Sequence, residues 1–317
     1  MKMMILTLIS ALTLTAHAQK VTTPKWTEFK APNGGNSLIA RPIGVEGNKI
    51  KFLKKKGGFV TVKPSIFREN DKKNLLAWKT AMEDSAHQKL ITKVQNTKTL
   101  RVLFVGNSYS FNVPKAFDTL AKKKGKTLQV EQVTHGGWTL GKHSQSPATL
   151  TKIKDGKFDI IVLQEQSLIP AFPEGQRNRM IEAPVKTLTK AIRDSGAIPV
   201  FYQTWGRKNG DKQNAKVFPN DTFAAMQKRL IAGYKHASKV GGGVHIVPVG
   251  EVWAKLKSDG KDHKLYTADG SHPAVNGTGL TAAAFFSAFY NEPFNGKIEQ
   301  ASDHAMLQPI PYPLPQK

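Results

Sequence analysis

The sequence between residues 99 and 295 alternates short apolar runs with helical patterns, and this alternation constrains the fold more than any other feature. It is typical of a parallel sheet that carries helices on both faces. Apolar runs at 101–105, 128–133, 158–163, 198–203 and 244–249 predict five buried strands. The segments 114–124, 177–195, 221–240 and 278–290 predict helices. We therefore expect an α/β domain with a five-stranded parallel sheet.

A different pattern precedes this domain. Residues 24–62 contain short runs with period-two alternation, separated by Gly and Asn turn signals, which predict a small antiparallel β unit. Residues 81–98 are polar and lack Gly and Pro, which predicts a helical connector. The expected division is a small β-barrel module at 19–80, the connector at 81–98, the α/β domain at 99–295 and an extended Pro-rich tail at 296–317.

The first eighteen residues have the pattern of a signal peptide. Lys2 is followed by an apolar run at 3–14 and then by Ala16-His17-Ala18, which fits the small-x-small rule for signal peptidase. We expect cleavage before Gln19 and a secreted or periplasmic mature protein. A membrane anchor is the alternative, but the apolar run is short for a bilayer span.

Composition excludes several kinds of chemistry and suggests a partner. The 317 residues contain no cysteine, so disulfides, thiolate zinc sites and a cysteine nucleophile are excluded. The formal charge of +24 is spread over the whole chain. In an exported protein this charge favours an anionic polysaccharide or envelope as the neighbour, with a solvated basic surface as the alternative. Nucleic acid is disfavoured because the basic residues are not gathered into one motif.

Two short motifs contain the parts of a hydrolytic site. Gly106-Asn107-Ser108 follows the first predicted strand, which leaves Ser108 at the bend between strand and helix. Asp269 and His272 form an Asp-x-x-His pair after the last predicted strand. His272 can act as the base for Ser108, and Asp269 can orient the imidazole and stabilise the imidazolium. Because ligands bind beyond the carboxyl ends of parallel strands, we expect these residues to meet at one edge of the sheet.

A tetrahedral intermediate also needs hydrogen-bond donors for its oxyanion. The Gly137 amide follows the second predicted strand and is a candidate because a residue without Cβ lets a substrate approach the backbone. The run Gln164-Glu165-Gln166-Ser167 follows the third predicted strand and offers two side-chain amides. The amide of Ser108 itself is a further donor.

These motifs resemble those of the SGNH hydrolase family, the GDSL-type esterases and lipases, over residues 99–293. In that family a Ser, a Gly, an Asn and a His mark four blocks, with an Asp three residues before the His. Ser108, Gly137, His272 and Asp269 fall on these positions. The resemblance implies a three-layer α/β/α sandwich of flavodoxin-like type.

The chain departs from the family pattern at two positions. Asn107 stands where the family has an Asp before the nucleophile, and we expect this change to be tolerated because the residue supports the loop. The oxyanion Asn is absent, and Gln166 takes its place by position, with Gln164 as the alternative. The combination resembles a bacterial branch of the family with Gly-Asn-Ser in place of Gly-Asp-Ser.

Three further side chains are candidates for lining the substrate pocket. His143 lies just past the Gly137 loop, and Trp138 and Trp205 follow the second and fourth predicted strands, where an indole could stack on a sugar. Interior packing is the alternative for each of them. Gln164 is a fourth candidate if Gln166 is the oxyanion donor.

The sequence predicts neither a metal nor an organic cofactor. No phosphate-binding Gly-rich loop with Lys is present, and Ser110 is followed by Phe111, so there is no Gly-x-Ser-x-Gly elbow and an α/β-hydrolase fold is disfavoured. Four histidines are candidate metal ligands, but none has the spacing of a metal site: His135, His143, His245 and His263.

The N-terminal segment resembles the Sla-type homology module, a small Src-homology-like barrel, over residues 26–78. The resemblance implies a binding or packing unit, and a structural appendage is the alternative. It rests on Trp26, the strand around Ala40, the Gly57-Gly58 hairpin, Asp71 and the run from Leu75 to Trp78.

The function expected from these features is that of an exported serine esterase that removes acyl groups, with acetyl the expected group, from a polysaccharide that could be anionic. Two alternatives stay open. One is a catalytically silent carbohydrate-binding or envelope protein, which the missing Asn would fit. The other is a sugar O-acyltransferase that uses the same triad.

Overall fold

The computed structural model describes residues 25–46, 48–83, 85–258, 260 and 263–292. The expected signal peptide and the Pro-rich tail lie outside these residues. Of the helices within these ranges, none combines the length and the apolar character needed to cross a bilayer.

The N-terminal unit is a four-stranded antiparallel sheet followed by two helices. Its strands pair in sequence order, so within the described residues the sheet is an open meander in which the first and last strands do not pair. The elements are β1 (Thr27–Lys30), β2 (Ser37–Glu46), β3 (Lys49–Lys54), β4 (Phe59–Val62), α1 (Glu69–Glu83) and α2 (Ala86–Gln95).

The helical segment begins earlier than the expected connector at 81–98. Helix α1 starts at Glu69, inside the span 19–80 that the sequence assigned to a β-barrel module. Glu69 and Asp71 lie in its first turn, where negative charge interacts favourably with the helix dipole. The connector is therefore a pair of helices, and the β unit is shorter than expected.

Three phenylalanine rings form the centre of the N-terminal unit. Phe29, Phe52 and Phe67 are buried, and their ring centroids lie 5.2–5.8 Å apart in edge-on or tilted contacts. Asp71 ties α1 to β1 by accepting a hydrogen bond from the Lys30 amide at 3.1 Å. Aromatic pairs in such geometry contribute about 0.5–1.5 kcal/mol each beyond the area that they bury.

The remaining chain forms a five-stranded parallel sheet with helices on both faces. The strand order is β6-β5-β7-β8-β9, which is the flavodoxin-like order 2-1-3-4-5 within the domain. The elements are β5 (Leu100–Gly106), α3 (Val113–Lys123), β6 (Leu128–Thr134), α4 (Leu140–Ser144), α5 (Pro147–Asp155), β7 (Ile160–Leu163), α6 (Glu174–Asp194), β8 (Ile198–Tyr202), α7 (Phe223–Val240), β9 (His245–Val247), α8 (Val249–Lys257) and α9 (Val275–Tyr290).

Alternate residues of the central strands supply two separate hydrophobic cores. Phe104 and Val162 face the layer of α3, α8 and α9, whereas Leu103 and Ile161 face the layer of α4 to α7. Helix α9 is apolar on nearly every side and is buried along most of its length, because it packs on the sheet and on α3 and α8. The expected three-layer α/β/α sandwich is confirmed.

The sequence pattern predicted the five strands and missed three helices. Helices α4 and α5 have five and nine residues, which is too short for a 3.6-residue period to stand out. Helix α8 begins at Val249, inside the apolar run that was expected to be the fifth strand. That strand ends at Val247 because Pro248 has no N–H to donate to the ladder.

The N-terminal unit contacts the α/β domain through α2 and α9. The Gln88 side chain accepts from the Val45 amide at 3.1 Å and donates to the Val45 carbonyl at 3.0 Å, so α2 is tied to β2. Lys51 Nζ donates to the Asn291 carbonyl at the end of α9 at 3.0 Å. The small sheet is thus attached at the end of α9.

Candidate active site

The turn after β5 holds a serine in a fixed position. Asn107 caps a short 3-10 turn over Ser108–Ser110, because its Oδ1 accepts from the Tyr109 amide at 3.1 Å. Its Nδ2 donates to the Trp138 carbonyl at 2.9 Å. Asn107 therefore fixes the turn that carries Ser108 and joins it to the loop after β6.

Ser108, His272 and Asp269 form a continuous hydrogen-bonded chain. Ser108 Oγ lies 2.8 Å from His272 Nε2, and His272 Nδ1 lies 2.5 Å from Asp269 Oδ2. A carboxylate can only accept, so the Nδ1 proton points to Asp269 and Nε2 is free to accept the Ser108 proton. This tautomer is the one that a histidine base needs.

Asp269 organises the loop that presents His272. Its Oδ1 accepts from the backbone amides of Ser271 and His272 at 2.8 and 2.9 Å and from Thr267 Oγ1 at 2.8 Å. Partial burial raises the pKa of the Asp269 carboxyl, but the hydrogen bonds from His272, Ser271 and Thr267 outweigh burial and hold the pKa well below its usual range. Asp269 is therefore ionised at every pH at which a serine esterase works.

A column of aromatic rings supports the same loop from below. Tyr109 stacks on Trp205 with centroids 4.9 Å apart, and Trp205 stacks on Trp253 at 3.9 Å. The Tyr109 hydroxyl lies 2.5 Å from Ser271 Oγ, and Trp205 Nε1 donates to the Ser271 carbonyl at 3.0 Å. Trp205 is fully buried, so it supports the His272 loop and offers no exposed face to a sugar.

Two backbone amides near Ser108 have no acceptor among the described residues. They are the amides of Ser108 itself and of Gly137, which lies in the turn closed by the Trp138 amide and the His135 carbonyl at 3.1 Å. Gly137 has φ +69, a conformation that strongly favours glycine, and it is exposed. Both N–H groups are free to donate to a bound oxyanion.

Gln166 has one free donor. Its Oε1 accepts from the Leu168 amide at 2.7 Å, which closes a tight turn after β7. Its Nε2 has no hydrogen-bond partner among the described residues, and the side chain is partly exposed. The Oε1 bond orients the amide plane, so Nε2 is held as a donor at the edge of the sheet.

Gln164 and His143 lie inside the protein and brace the turn that carries Ser108. Gln164 Oε1 accepts from the Asn107 amide at 2.9 Å and from Ser110 Oγ at 3.0 Å. His143 Nε2 donates to the Gly106 carbonyl at 2.9 Å, and its Nδ1 lies 3.1 Å from Thr149 Oγ1. Burial lowers the pKa of His143, which favours the neutral ring. Neither residue has a free polar atom to offer a substrate.

Trp138 is the one sequence-predicted aromatic residue that stays partly exposed at the site. Its ring lies 4.1 Å from the ring of His135 and 5.0 Å from that of His143, measured between centroids. The indole is thereby fixed beside the Gly137 turn.

Glu165 is a buried carboxyl that joins the loop of Gln166 to the start of α4. Its Oε1 accepts from the Gln166 amide at 2.7 Å and from the Leu140 amide at 3.0 Å, and Leu140 begins the helix that follows the Gly137 turn. Its Oε2 is buried without a partner, and its amide donates to the Tyr234 hydroxyl at 3.3 Å. Burial raises the pKa of Glu165 from 4.5 to about 7, although the two amide hydrogen bonds favour the ionised form.

This raised pKa predicts a pH-dependent cost to stability. Between pH 4.5 and 7 the unfolded chain loses the Glu165 proton while the folded chain keeps it, so rising pH favours unfolding. Glu165→Gln removes this titration but keeps an acceptor for the two amides. We expect the free energy of unfolding of Glu165→Gln, minus that of the parent, to rise by about 3 kcal/mol between pH 4 and pH 8.

Urea unfolding over a pH series measures this difference directly. Desolvation also lowers the pKa of the stacked pair His87 and His245, but the pair is present in both proteins and cancels in the difference. A difference that stayed constant with pH would contradict the buried carboxyl.

The structure brings together Ser108, His272 and Asp269 directly and places the free donors of Gly137 and Gln166 on the neighbouring loops. Sequence reasoning missed the roles of Glu165 and of the aromatic column. Glu165 lies between two glutamines in the sequence, but no pattern there indicates that its side chain is buried. Within the described residues, no group of three His, Cys, Asp or Glu residues could hold a metal ion.

The sequence matches no model of a known protein family and no curated protein. Solved structures do share its fold. A DUF4886 family protein from Bacteroides uniformis is 20% identical, superposes with a TM-score of 0.53, and aligns over 61% of this chain and 84% of its own. This likeness concerns the fold alone.

Two other solved structures overlap with the same part of the chain at lower TM-scores. A candidate SGNH hydrolase from Slackia heliotrinireducens is 26% identical with a TM-score of 0.48, covering 60% of this chain and 98% of its own. EstA, a psychrotrophic esterase from Pseudoalteromonas sp., is 13% identical with a TM-score of 0.43, covering 60% and 97%.

Proposed function

We propose that this chain is a serine ester hydrolase of the SGNH type. One observation carries the proposal, which is the hydrogen-bonded chain from Ser108 Oγ through His272 to Asp269 at 2.8 and 2.5 Å. The serine lies at the carboxyl edge of the parallel sheet, where ligands of such sheets bind. The free amides of Ser108 and Gly137 lie on adjacent loops of that edge.

In the first half of the reaction, Ser108 Oγ attacks the ester carbonyl carbon while His272 Nε2 takes the hydroxyl proton. The carbonyl oxygen becomes an oxyanion that accepts from the Ser108 and Gly137 amides and from Gln166 Nε2. His272 then gives its proton to the departing alcohol as the carbon–oxygen bond breaks. The acyl group remains on Ser108.

In the second half, His272 takes a proton from a water molecule, and the hydroxide attacks the acyl-enzyme. The second tetrahedral intermediate uses the same donors. Its collapse returns the proton from His272 to Ser108 and releases the carboxylic acid. Asp269 keeps the imidazole in the required tautomer throughout and stabilises the imidazolium.

The substrate that we propose is an O-acetylated polysaccharide met outside the cytoplasm. His272 and Asp269 side chains are 42% and 48% exposed, which makes the site an open surface accessible to a polymer. The partly exposed ring of Trp138 and the high positive charge of the chain support a carbohydrate, in particular an acidic one. The signal-peptide pattern of residues 1–18 supports export.

Covalent labelling tests the proposal without knowledge of the natural substrate. The purified protein is treated with a 4-nitrophenyl phosphonate ester, and the modified peptide is identified by mass spectrometry. We expect a phosphonyl group on Ser108 and a proportional loss of acetate release from acetylated xylan and pectin. Labelling of another serine, or none, would contradict the proposal.

The Gln166 donor is tested by two substitutions that separate its two atoms. Gln166→Glu keeps the oxygen that accepts from the Leu168 amide, whereas Gln166→Leu removes both groups. We expect both variants to lower kcat about a hundredfold to a thousandfold with little change in KM, because both lose the Nε2 donor. A loss in Gln166→Leu alone would show that the residue serves only the turn.

For the N-terminal unit we propose a packing role. The Lys51 to Asn291 bond supports it, because it joins the small sheet to the end of α9, and the stacked rings of His87 and His245 join α2 to β9. The Sla-type resemblance remains a prediction.

A further inference from the structure

The segment after β8 contacts the His272 loop and the loop after β7. The Gly206 amide donates to Gln227 Oε1 at 2.8 Å, and the Gly206 carbonyl accepts from the Tyr266 hydroxyl at 2.7 Å. The Lys208 amide donates to the Gly270 carbonyl at 2.8 Å, inside the loop between Asp269 and His272. Residue 207 is therefore held in place on both sides, next to the catalytic histidine loop.

Arg207 carries a positive charge that no described residue neutralises. Its Nη2 donates to Ser167 Oγ at 3.3 Å, which places the guanidinium against the residue that follows Gln166. Its Nε is buried without a hydrogen-bond partner, and none of the described carboxylates forms an ion pair with it. A partly buried guanidinium without a counterion is costly, because it gives up water and gains no partner.

Arg229 shows how the same chain treats an arginine with a structural role. Its Nη1 and Nη2 contact both oxygens of Asp221 at 2.9 and 2.6 Å, and its Nε donates to the Ala171 carbonyl at 3.0 Å. All three nitrogens of the Arg229 guanidinium therefore donate hydrogen bonds. The guanidinium of Arg207 has one contact, at 3.3 Å, to a neutral hydroxyl, and its Nη1 is neither buried nor hydrogen-bonded to a described residue. The outer end of the guanidinium can therefore donate to a ligand at this edge of the sheet.

We infer that Arg207 binds a carboxylate of the substrate, so that the preferred substrates are esters that carry a carboxylate group. The inference rests on the proposed ester hydrolase function. A guanidinium fork matches a carboxylate in geometry and charge, and a single arginine suits a monoanion better than a phosphate, which draws on several donors. The exposed Lys208 adds positive potential at the same rim.

A carboxylate could belong to either side of the ester. On the alcohol side it would be the carboxylate of a uronic acid in an acidic polysaccharide, and on the acyl side it would be a dicarboxylic half-ester. Two matched pairs of substrates separate these sources. One pair is the monoacetates of methyl glucuronoside and methyl glucoside, and the other is 4-nitrophenyl hemisuccinate and 4-nitrophenyl acetate.

The measured quantity is the ratio of kcat/KM for the charged ester to kcat/KM for the neutral ester in each pair. We expect Arg207→Gln to lower this ratio about 10- to 100-fold in one pair, because a hydrogen bond between charged groups is lost. Arg207→Lys keeps the positive charge but loses the two-pronged guanidinium geometry, so it should lower the ratio less than Arg207→Gln. Arg193→Gln, at the opposite edge of the sheet, is the matched control and should leave the ratio unchanged.

Binding to Ser108→Ala separates this inference from the proposed function. Calorimetry with the two methyl glycoside acetates and with the two 4-nitrophenyl esters requires no hydrolysis. If the parent cleaves none of the four esters, the proposed function fails, yet tighter binding of a charged ester that is lost on adding Arg207→Gln would still support the carboxylate site. Equal ratios and equal binding with and without Arg207→Gln in both pairs would overturn it.

Discussion

Ser108→Ala is expected to lower kcat for ester hydrolysis by about 10⁴- to 10⁶-fold, because removal of a triad nucleophile leaves only the binding and oxyanion contributions. The Ser108 hydroxyl has one hydrogen bond among the described residues, to His272 Nε2. Its loss should therefore leave the free energy of unfolding nearly unchanged. The measurement is acetate release together with urea unfolding of the same preparation.

Ser195→Ala is the matched control for this result. Ser195 directly follows α6 at the opposite edge of the sheet, where its hydroxyl donates to the Ile192 carbonyl. It should keep full activity. Activity of Ser108→Ala within tenfold of the parent would remove Ser108 from the mechanism.

His272→Gln is expected to have an effect of similar size, since without the imidazole neither the attack nor the departure of the alcohol has a proton carrier. The effects of the two substitutions on kcat should not be additive. We expect the double variant Ser108→Ala with His272→Gln to retain about the same residual activity as either single variant, because the residues act as one unit.

A histidine outside the site controls for the substitution itself. His236 pairs with Glu182 on the surface of α7 at 3.0 Å, and His236→Gln should keep full activity. A double variant whose activity fell by the product of the two single effects would mean that Ser108 and His272 act independently. That outcome is incompatible with the 2.8 Å contact between them.

The parts of the site that could be predicted are those encoded by short spacing in the chain. Asp269 and His272 are three residues apart, so a single tight turn brings the carboxylate to the imidazole. Ser108 follows a buried strand, and the topology of parallel sheets carries such residues to one edge. The Gly137 turn was predictable for the same reason.

The direction of a side chain could not be predicted for residues in the same loops. Gln164 and Gln166 are two residues apart after one strand, and either could have been the oxyanion donor. Gln164 turns inward to the Asn107 amide and Ser110, whereas Gln166 keeps its Nε2 free. His143 turns inward for a similar reason, because the Gly106 carbonyl offers it a buried acceptor.

The helices and the N-terminal unit show the same division. The long helices α7 and α9 were predicted, α7 from its one apolar face and α9 from the length of its apolar run. Short α4 and α5 were missed, and most of α1 was included in the β-barrel module because Asp71 and the run from Leu75 to Trp78 fit the Sla-type resemblance.

By itself the sequence determined the α/β architecture and predicted that Ser108, Asp269 and His272 would meet, because both depend on periodicity and on spacing along the chain. Only the tertiary structure decided that Glu165 joins the loop of Gln166 to the start of α4 and that Arg207 lies beside the histidine loop with no counterion among the described residues. Both facts depend on which residues from distant strands share a surface. Burial and charge compensation are properties of that surface, and no single segment contains them.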